Sequence, residues 1–173
     1  MTAPTDPIRI CRVDYADPVH ARALVALLDA YAHDPMGGGA GLSDYAKTHV
    51  VAGLAARAHA FSVLAFAPDA AQTPVGLVNC IEGFSTFAAK ALVNIHDVIV
   101  LPAWRGHGVA GAMLETVMQI ARDRGACKLT LEVLSGNQQA LRAYAKIGFD
   151  AYQLDPQAGS AQFLQKWLEP RTS

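Results

Sequence analysis

The sequence predicts one α/β domain, and three observations carry that prediction. The chain has 173 residues, the size of one compact domain that buries roughly two-thirds of its unfolded surface without metal or disulfide staples. Its composition, 52% hydrophobic and 17% charged, is that of a packed globular protein and not of a disordered chain. Apolar residues recur first at helical spacing, then in strand-like runs, and then in a strand, helix, strand succession. No repeat, linker or change of composition interrupts this order. Residues 1–173 therefore read as a single domain, with a short flexible tail over about residues 1–6.

The elements follow in order. Asp17-Pro18 is an N-cap followed by a proline at the first helical position. Behind it Leu24, Leu27, Leu28 and Tyr31 share one face, so a helix is expected over residues 18–32. The segment from Pro35 to Gly39 breaks it, and Ser43 can cap a second helix to about Ala58, with Val50, Val51 and Leu54 on its apolar face. Phe61 to Phe66 and Val75 to Ile81 read as strands separated by a turn-rich stretch. Ala91 to Val100 and Lys128 to Val133 are two further strands. Between these last two lies a helical pattern from Gly108 to Arg124, stopped by Gly125. A strand, a helix of this length and a strand form a crossover, which makes the two strands parallel neighbours. A shorter helix, Gln138 to Ile147, ends on Gly148 as its C′ glycine. Two more strands are expected near 149–154 and 161–167.

Composition also narrows the function. Fourteen basic residues against fifteen acidic ones leave a net charge of −1, which argues against a protein held on nucleic acid or an anionic membrane by bulk electrostatics. Cys11, Cys80 and Cys127 are widely spaced and odd in number, so neither a disulfide framework nor a metal site is expected. Cys80 and Cys127 fall in apolar strand contexts and read as core thiols, not nucleophiles. The polar stretch Met1–Asp6 has no secretory pattern. The longest apolar run, Ala60 to Ala67, is far below the roughly 20 residues that span a bilayer. The expected location is the cytoplasm.

The chemistry concentrates in residues 98–111, Val-Ile-Val-Leu-Pro-Ala-Trp-Arg-Gly-His-Gly-Val-Ala-Gly. A strand runs into a glycine-rich turn that opens a helix. Gly106 and Gly108 keep side chains out of the turn, so backbone N–H groups can converge on an anion. The helix adds about half a positive charge at its N-terminus. Its first carboxylate, Glu115, is two turns in, leaving that end open to a phosphate. The pattern is neither GxxxxGK[ST] nor GxGxxG, which excludes a P-loop and weakens a dinucleotide fold.

This segment resembles the coenzyme A signature of the Gcn5-related N-acetyltransferases, Arg/Gln-x-x-Gly-x-Gly/Ala at a strand-to-helix turn. It stands here as Arg105-Gly106-His107-Gly108-Val109-Ala110, after Val98, Val100 and Pro102. A second element of the family follows one crossover later, as Leu131-Glu132-Val133, Asn137, Ala140, Tyr144 and Gly148-Phe149. The resemblance covers residues 75–155 closely. It implies an acyl-CoA N-acyltransferase fold, a mixed and mostly antiparallel sheet with splayed parallel strands and helices on both faces.

The resemblance also implies a reaction: direct transfer of acetyl from acetyl-CoA to a primary amine, here of a small molecule, with no metal. Peptide or protein amines, and a coenzyme sensor without turnover, are the alternatives. Val98, Ile99 and Val100 are expected to meet the pantetheine arm through main chain. Arg105, Gly106, His107, Gly108, Val109, Ala110 and Gly111 are expected around the pyrophosphate, and Asn137 caps the following helix and touches the coenzyme. Tyr144 is the expected general acid, beside the coenzyme sulfur. Glu132 and His96 compete for the general base, and strand alternation sets His96 on the face of Val98. Asp97 is the candidate for binding a cationic substrate. Glu82 is a weaker candidate base. The expected partner is an amine-bearing small molecule, without nucleic acid or membrane, and the resemblance leaves room for a homodimer.

Overall fold

The computed structural model describes residues 7–152, 155, 157, 159 and 161–168; the tail expected over residues 1–6 lies outside them. The chain forms two compact units, Met1–Leu131 and Glu132–Ser173.

The first unit holds the sheet. Its elements are β1 (Arg9–Arg12), α1 (Pro18–His33), α2 (Asp44–Ala55), β2 (Ala60–Phe66), β3 (Pro74–Ser85), β4 (Lys90–Val100), α3 (Val109–Asp123) and β5 (Leu129–Leu131). The caps anticipated from sequence form: Asp17 Oδ1 accepts from Val19 N at 2.7 Å, and Ser43 Oγ from Ala46 N at 3.2 Å. The strands run in the order β1-β2-β3-β4-β5. The first three joints are antiparallel, while β4 and β5 pair in parallel, Val93 with Leu129 and Ile95 with Leu131. The crossover helix thus joins parallel neighbours, as the strand, helix, strand pattern requires.

Helices cover both faces of this sheet. On one, Leu24 and Leu27 of α1 are buried with Leu64, Phe66, Leu77 and Ile99, and Val50, Val51 and Leu54 of α2 pack against that cluster. Each fully buried one contributes about 1.5–3 kcal/mol. On the other face α3 buries Val109, Met113, Leu114, Val117 and Ala121. Gly76, next to Leu77 and so on the opposite side of β3, leaves room for the end of the Met113 side chain of α3. A Cβ there would stand 2.7 Å from Met113 Cε and 3.2 Å from the Ile99 carbonyl oxygen.

Several expectations are corrected. β1 carries too little apolar signal to be read from sequence, with arginines at both ends. The second helix stops at Ala55, three residues early, and β3 runs four residues further, to Ser85. β5 is only three residues long, so Glu132 follows the strand instead of lying in it. In the ranges 149–154 and 161–167 no described residue forms a strand, and Gln153 and Leu154 lie outside the described residues. Strand propensity needs a neighbouring edge to pair with; Phe163, Leu164 and Trp167 are exposed instead.

In the second unit α4 spans Gln138–Lys146. Asn137 Oδ1 caps it by accepting from Ala140 N at 3.2 Å. Gly148 closes it with φ +92°, a left-handed conformation that favours glycine. Tyr144 and Phe149 meet edge to face at 5.9 Å. Among the described residues no helix is long and apolar enough to cross a membrane.

Candidate active site

The site begins with an irregularity in β4. Asn79 pairs with Asp97 but Cys80 pairs with Ile95, so His96 is an extra residue, a β-bulge. The bulge reverses the alternation beyond it. Ile95 and Val98 pair with Cys80 and Val78, two positions on one face of β3, whereas Asp97 and Ile99 pair with Asn79 and Leu77 on the other. The expectation that His96 shares a face with Val98 is therefore corrected. His96 lines a cavity of about 320 Å3 with Ile81 of β3 and Val50, Gly53, Leu54 and Arg57 on the α2 side. Two polar residues, His96 and Asp97, consequently lie on the same face as α1 and α2.

The bulge also marks where β4 loses its parallel partner. β5 pairs only with Val93–Ile95. From His96 to Val100 this edge of β4 has no strand beside it among the described residues. The main-chain groups of this stretch that face away from β3 lie along it, open to an extended ligand that pairs like a strand, except Val100 O, which accepts from Arg105 Nε.

Past β4 the chain makes a short 3-10 turn, Pro102–Trp104, and reaches the glycines. Gly106 and Gly108 have φ of +81° and +80°, where a side chain costs roughly 1–2 kcal/mol. No heavy atom stands within 4 Å of a Cβ built on either residue, so the glycines serve backbone shape and an open approach. Gly108 is the N-cap of α3 and supplies no capping side chain, and the first turn holds no acid. Ala112 N is the first N–H to return into the helix, to Gly108 O at 3.0 Å. Val109, Ala110 and Gly111 thus direct their N–H groups out of the helix end. Gly106, His107 and Gly108 donate to no backbone group among the described residues. Six consecutive N–H groups and a helix dipole suit a pyrophosphate. This chain therefore fits the coenzyme by main chain.

The Arg105 side chain makes two contacts within the protein. Its Nε donates to Val100 O at 3.0 Å and its Nη2 to Asp34 Oδ2 at 2.8 Å. Asp34 also organises the loop after α1, with Oδ1 accepting from Met36 N and its carbonyl from Gly37 N and Gly39 N. One ion pair therefore ties the glycine turn to the loop between α1 and α2. Tyr31 lies near both acids. Burial first, then the Asp97 and Asp34 carboxylates, push its phenol pKa up.

The remaining expected residues are placed as follows. Burial pushes the Cys80 thiol up to about 12, so it is a core thiol. Cys127, expected in the core, is exposed at the bend before β5, because that strand starts two residues later. Glu82 accepts from Arg124 Nη1 at 2.9 Å, which occupies it structurally. Glu132, Asn137 and Tyr144 belong to the second unit; Glu132 is exposed and Tyr144 half-buried. Asp34, Tyr31, Ser62 and Asn79 were missed. For the last two a signal existed: a polar side chain inside an apolar strand run demands a partner.

Comparison with known proteins gives consistent results. A family model described as "Acetyltransferase (GNAT) family" matches residues 24–149. Streptothricin acetyltransferase of Streptomyces lavendulae is 34% identical over 84 residues, 47% of this chain and 44% of that protein. The chain spans less than half the length of the curated relatives it matches. Among solved structures, AAC(6')-Iy in complex with the bisubstrate analogue CoA-S-monomethyl-acetylneamine superposes with a TM-score of 0.73 at 16% identity, over 94% of this chain and 99% of that one. The ribosomal-protein-alanine N-acetyltransferase of Brucella melitensis biovar Abortus 2308 does so with 0.68 at 17%, over 93% and 100%. These likenesses show the acyl-CoA N-acyltransferase fold.

The Arg105–Asp34 pair carries a testable pH dependence. The Arg105 hydrogen bond, and then the Met36 N–H, hold the Asp34 carboxyl below its usual range. A lowered folded pKa gives stability that is present above the unfolded value of about 3.9 and lost as pH falls through the folded one. Because the pair is partly exposed, Asp34→Asn should cost no more than about 1 kcal/mol at neutral pH. Urea unfolding of both proteins should show that difference close as the solution is acidified below the ordinary aspartate pKa.

Proposed function

Since the chain belongs to the acetyltransferase (GNAT) family, we propose that it binds acetyl-CoA and transfers the acetyl group to a primary amine of a small molecule. The observation that carries this reading is the glycine turn, whose outward N–H groups at the start of α3 follow the unpaired edge of β4 along the chain. The coenzyme brings an acetyl thioester. Main chain of Gly106 through Gly111 holds its pyrophosphate, while the Arg105 guanidinium shapes the turn through Val100 O and Asp34. Val98, Ile99 and Val100 hold the pantetheine arm, and a main-chain N–H of β4 polarises the thioester carbonyl.

The amine nitrogen forms its bond to the carbonyl carbon as the carbon–sulfur bond breaks. His96 or Glu132 takes the proton from the amine, and Tyr144 gives its phenolic proton to the departing sulfur. The role of Tyr144 rests on the family motif that it shares with Asn137, Ala140 and Gly148-Phe149. Direct transfer uses no enzyme thiol, in keeping with the raised pKa of buried Cys80. Three free cysteines suit a reducing cytoplasm, where we place the reaction.

Gly108→Glu tests the reading. A Cβ there meets nothing within 4 Å beyond its chain neighbours, so the variant should fold at a cost of about 1–2 kcal/mol from its positive φ. A carboxylate among the N–H groups should abolish acetyl-CoA binding in calorimetry. Wild-type affinity in the folded variant would place the coenzyme elsewhere.

Tyr144→Phe keeps the ring contact with Phe149 and deletes the proton donor. It should lower kcat by roughly 10–10³-fold, or about 1.4–4 kcal/mol of barrier. KM for acetyl-CoA should stay within a few-fold in a thiol-release assay. An unchanged rate with chemistry limiting would make the phenol structural.

A further inference from the structure

Ser62 and Asn79 are the buried polar side chains of the first unit's core, at 0% and 4% exposure. They sit in one row across the sheet: Ser62 of β2 pairs with Asn79 of β3, and Asn79 with Asp97 of β4, just beyond the bulge. Asn79 Nδ2 donates to Asp97 Oδ2 at 2.9 Å, Ser62 Oγ donates to Asn79 Oδ1 at 2.6 Å, and Tyr15 Oη lies 2.9 Å from Ser62 Oγ.

The direction of this chain follows from its end. A carboxylate only accepts, so the Asn79 amide must turn its NH2 towards Asp97 and its oxygen towards Ser62. Ser62 then spends its proton on Asn79 and accepts from Tyr15. Every donor points towards Asp97, and each bond polarises the next. Apolar side chains in this row would avoid the cost of burying polar groups. The row therefore holds one carboxylate in one orientation.

That carboxylate has no cation of its own. Asp29 pairs with Lys47, Asp34 with Arg105 and Glu82 with Arg124, whereas Asp97 is in no ion pair among the described residues. It is half-buried, on the face of α1 and α2, near the Tyr31 phenol and one residue from the His96 cavity. We propose that Asn79 is a positioning residue for the transfer. With Ser62 and Tyr15 behind it, it fixes Asp97 so that Oδ2 is committed and Oδ1 receives an ammonium of the acceptor other than the amine that is acetylated. The inference rests on the acetyl-transfer reading and adds the device that sets acceptor affinity.

The test is a double-mutant cycle on acceptor kinetics. Wild type is first assayed for thiol release with 1,4-diaminobutane, glucosamine, kanamycin and alanylglycine, and the fastest amine that carries a second ammonium becomes the probe; turnover of the monoamines alone overturns the inference. Asn79→Ala and Asp97→Asn should each raise its KM about tenfold, with kcat and the calorimetric Kd of acetyl-CoA within about twofold. Combined with Asp97→Asn, Asn79→Ala should add nothing further to KM, although it still lowers Tm. A merely structural Asn79 would multiply its effect in both backgrounds, or leave KM unchanged, and either result overturns the proposal. Ser62→Ala removes less volume and carries the same cycle if Asn79→Ala fails to fold. Wild type that binds acetyl-CoA but releases thiol with no amine would overturn the transfer reading, and this inference with it. Turnover with an uncoupled pair would overturn this inference alone.

Discussion

A single extra residue in β4 governs how this structure presents its chemistry. Without the bulge at His96, strict alternation would put Asp97 on the α3 side and Val98 under α1. With it, Asp97 turns to Asn79 and Ile99 to the leucines of α1, while Val98 lies on the face of α3. The same strand loses its parallel neighbour at Ile95. One edge of β4 is thus unpaired over the five residues that lead to the glycine turn. The polar row, the cavity beside His96 and the unpaired edge all start from this one position.

Two other links bind the ends of that arrangement. Gly76 leaves room for the end of the Met113 side chain of α3 on this face of the sheet. The Arg105–Asp34 pair then joins the turn before α3 to the loop after α1, 71 residues away in sequence. The pair's direct energetic worth is small at a partly exposed site; its role is to set the direction of the arginine and the shape of the loop.

Much of this was legible in the sequence, for identifiable reasons. Asp17-Pro18, Ser43, Asn137 and Gly148 mark helix ends through local hydrogen bonding and backbone freedom, which depend on few neighbours. The strand, helix, strand order predicted the parallel pair because handedness and length leave little choice. The glycine turn was legible for the same local reason. What the sequence concealed is non-local. The bulge falls on a histidine, with no glycine or proline to announce it. β1 is an edge strand recognised only by its pairing with β2. The strands expected near 149–154 and 161–167 had the right residue types, yet no pairing occurs at their described positions. The Arg105 ion pair was hidden because its partner Asp34 is remote in sequence, and Cys127 looked buried because apolar neighbours surround it in sequence but not in space. Asn79 and Ser62 were visible as polar residues in apolar runs, but only register shows that they share a row with Asp97.

The central claim is that main-chain N–H groups, not the Arg105 guanidinium, hold the coenzyme's phosphates. Titrating 15N-labelled protein with coenzyme A and following its amide and arginine Nε resonances tests this most directly. The account predicts the largest shifts at the amides of Gly106, His107, Gly108, Val109, Ala110 and Gly111, with the Arg105 Nε signal moving less than any of them. Unmoved turn amides together with a large Arg105 Nε shift would contradict it.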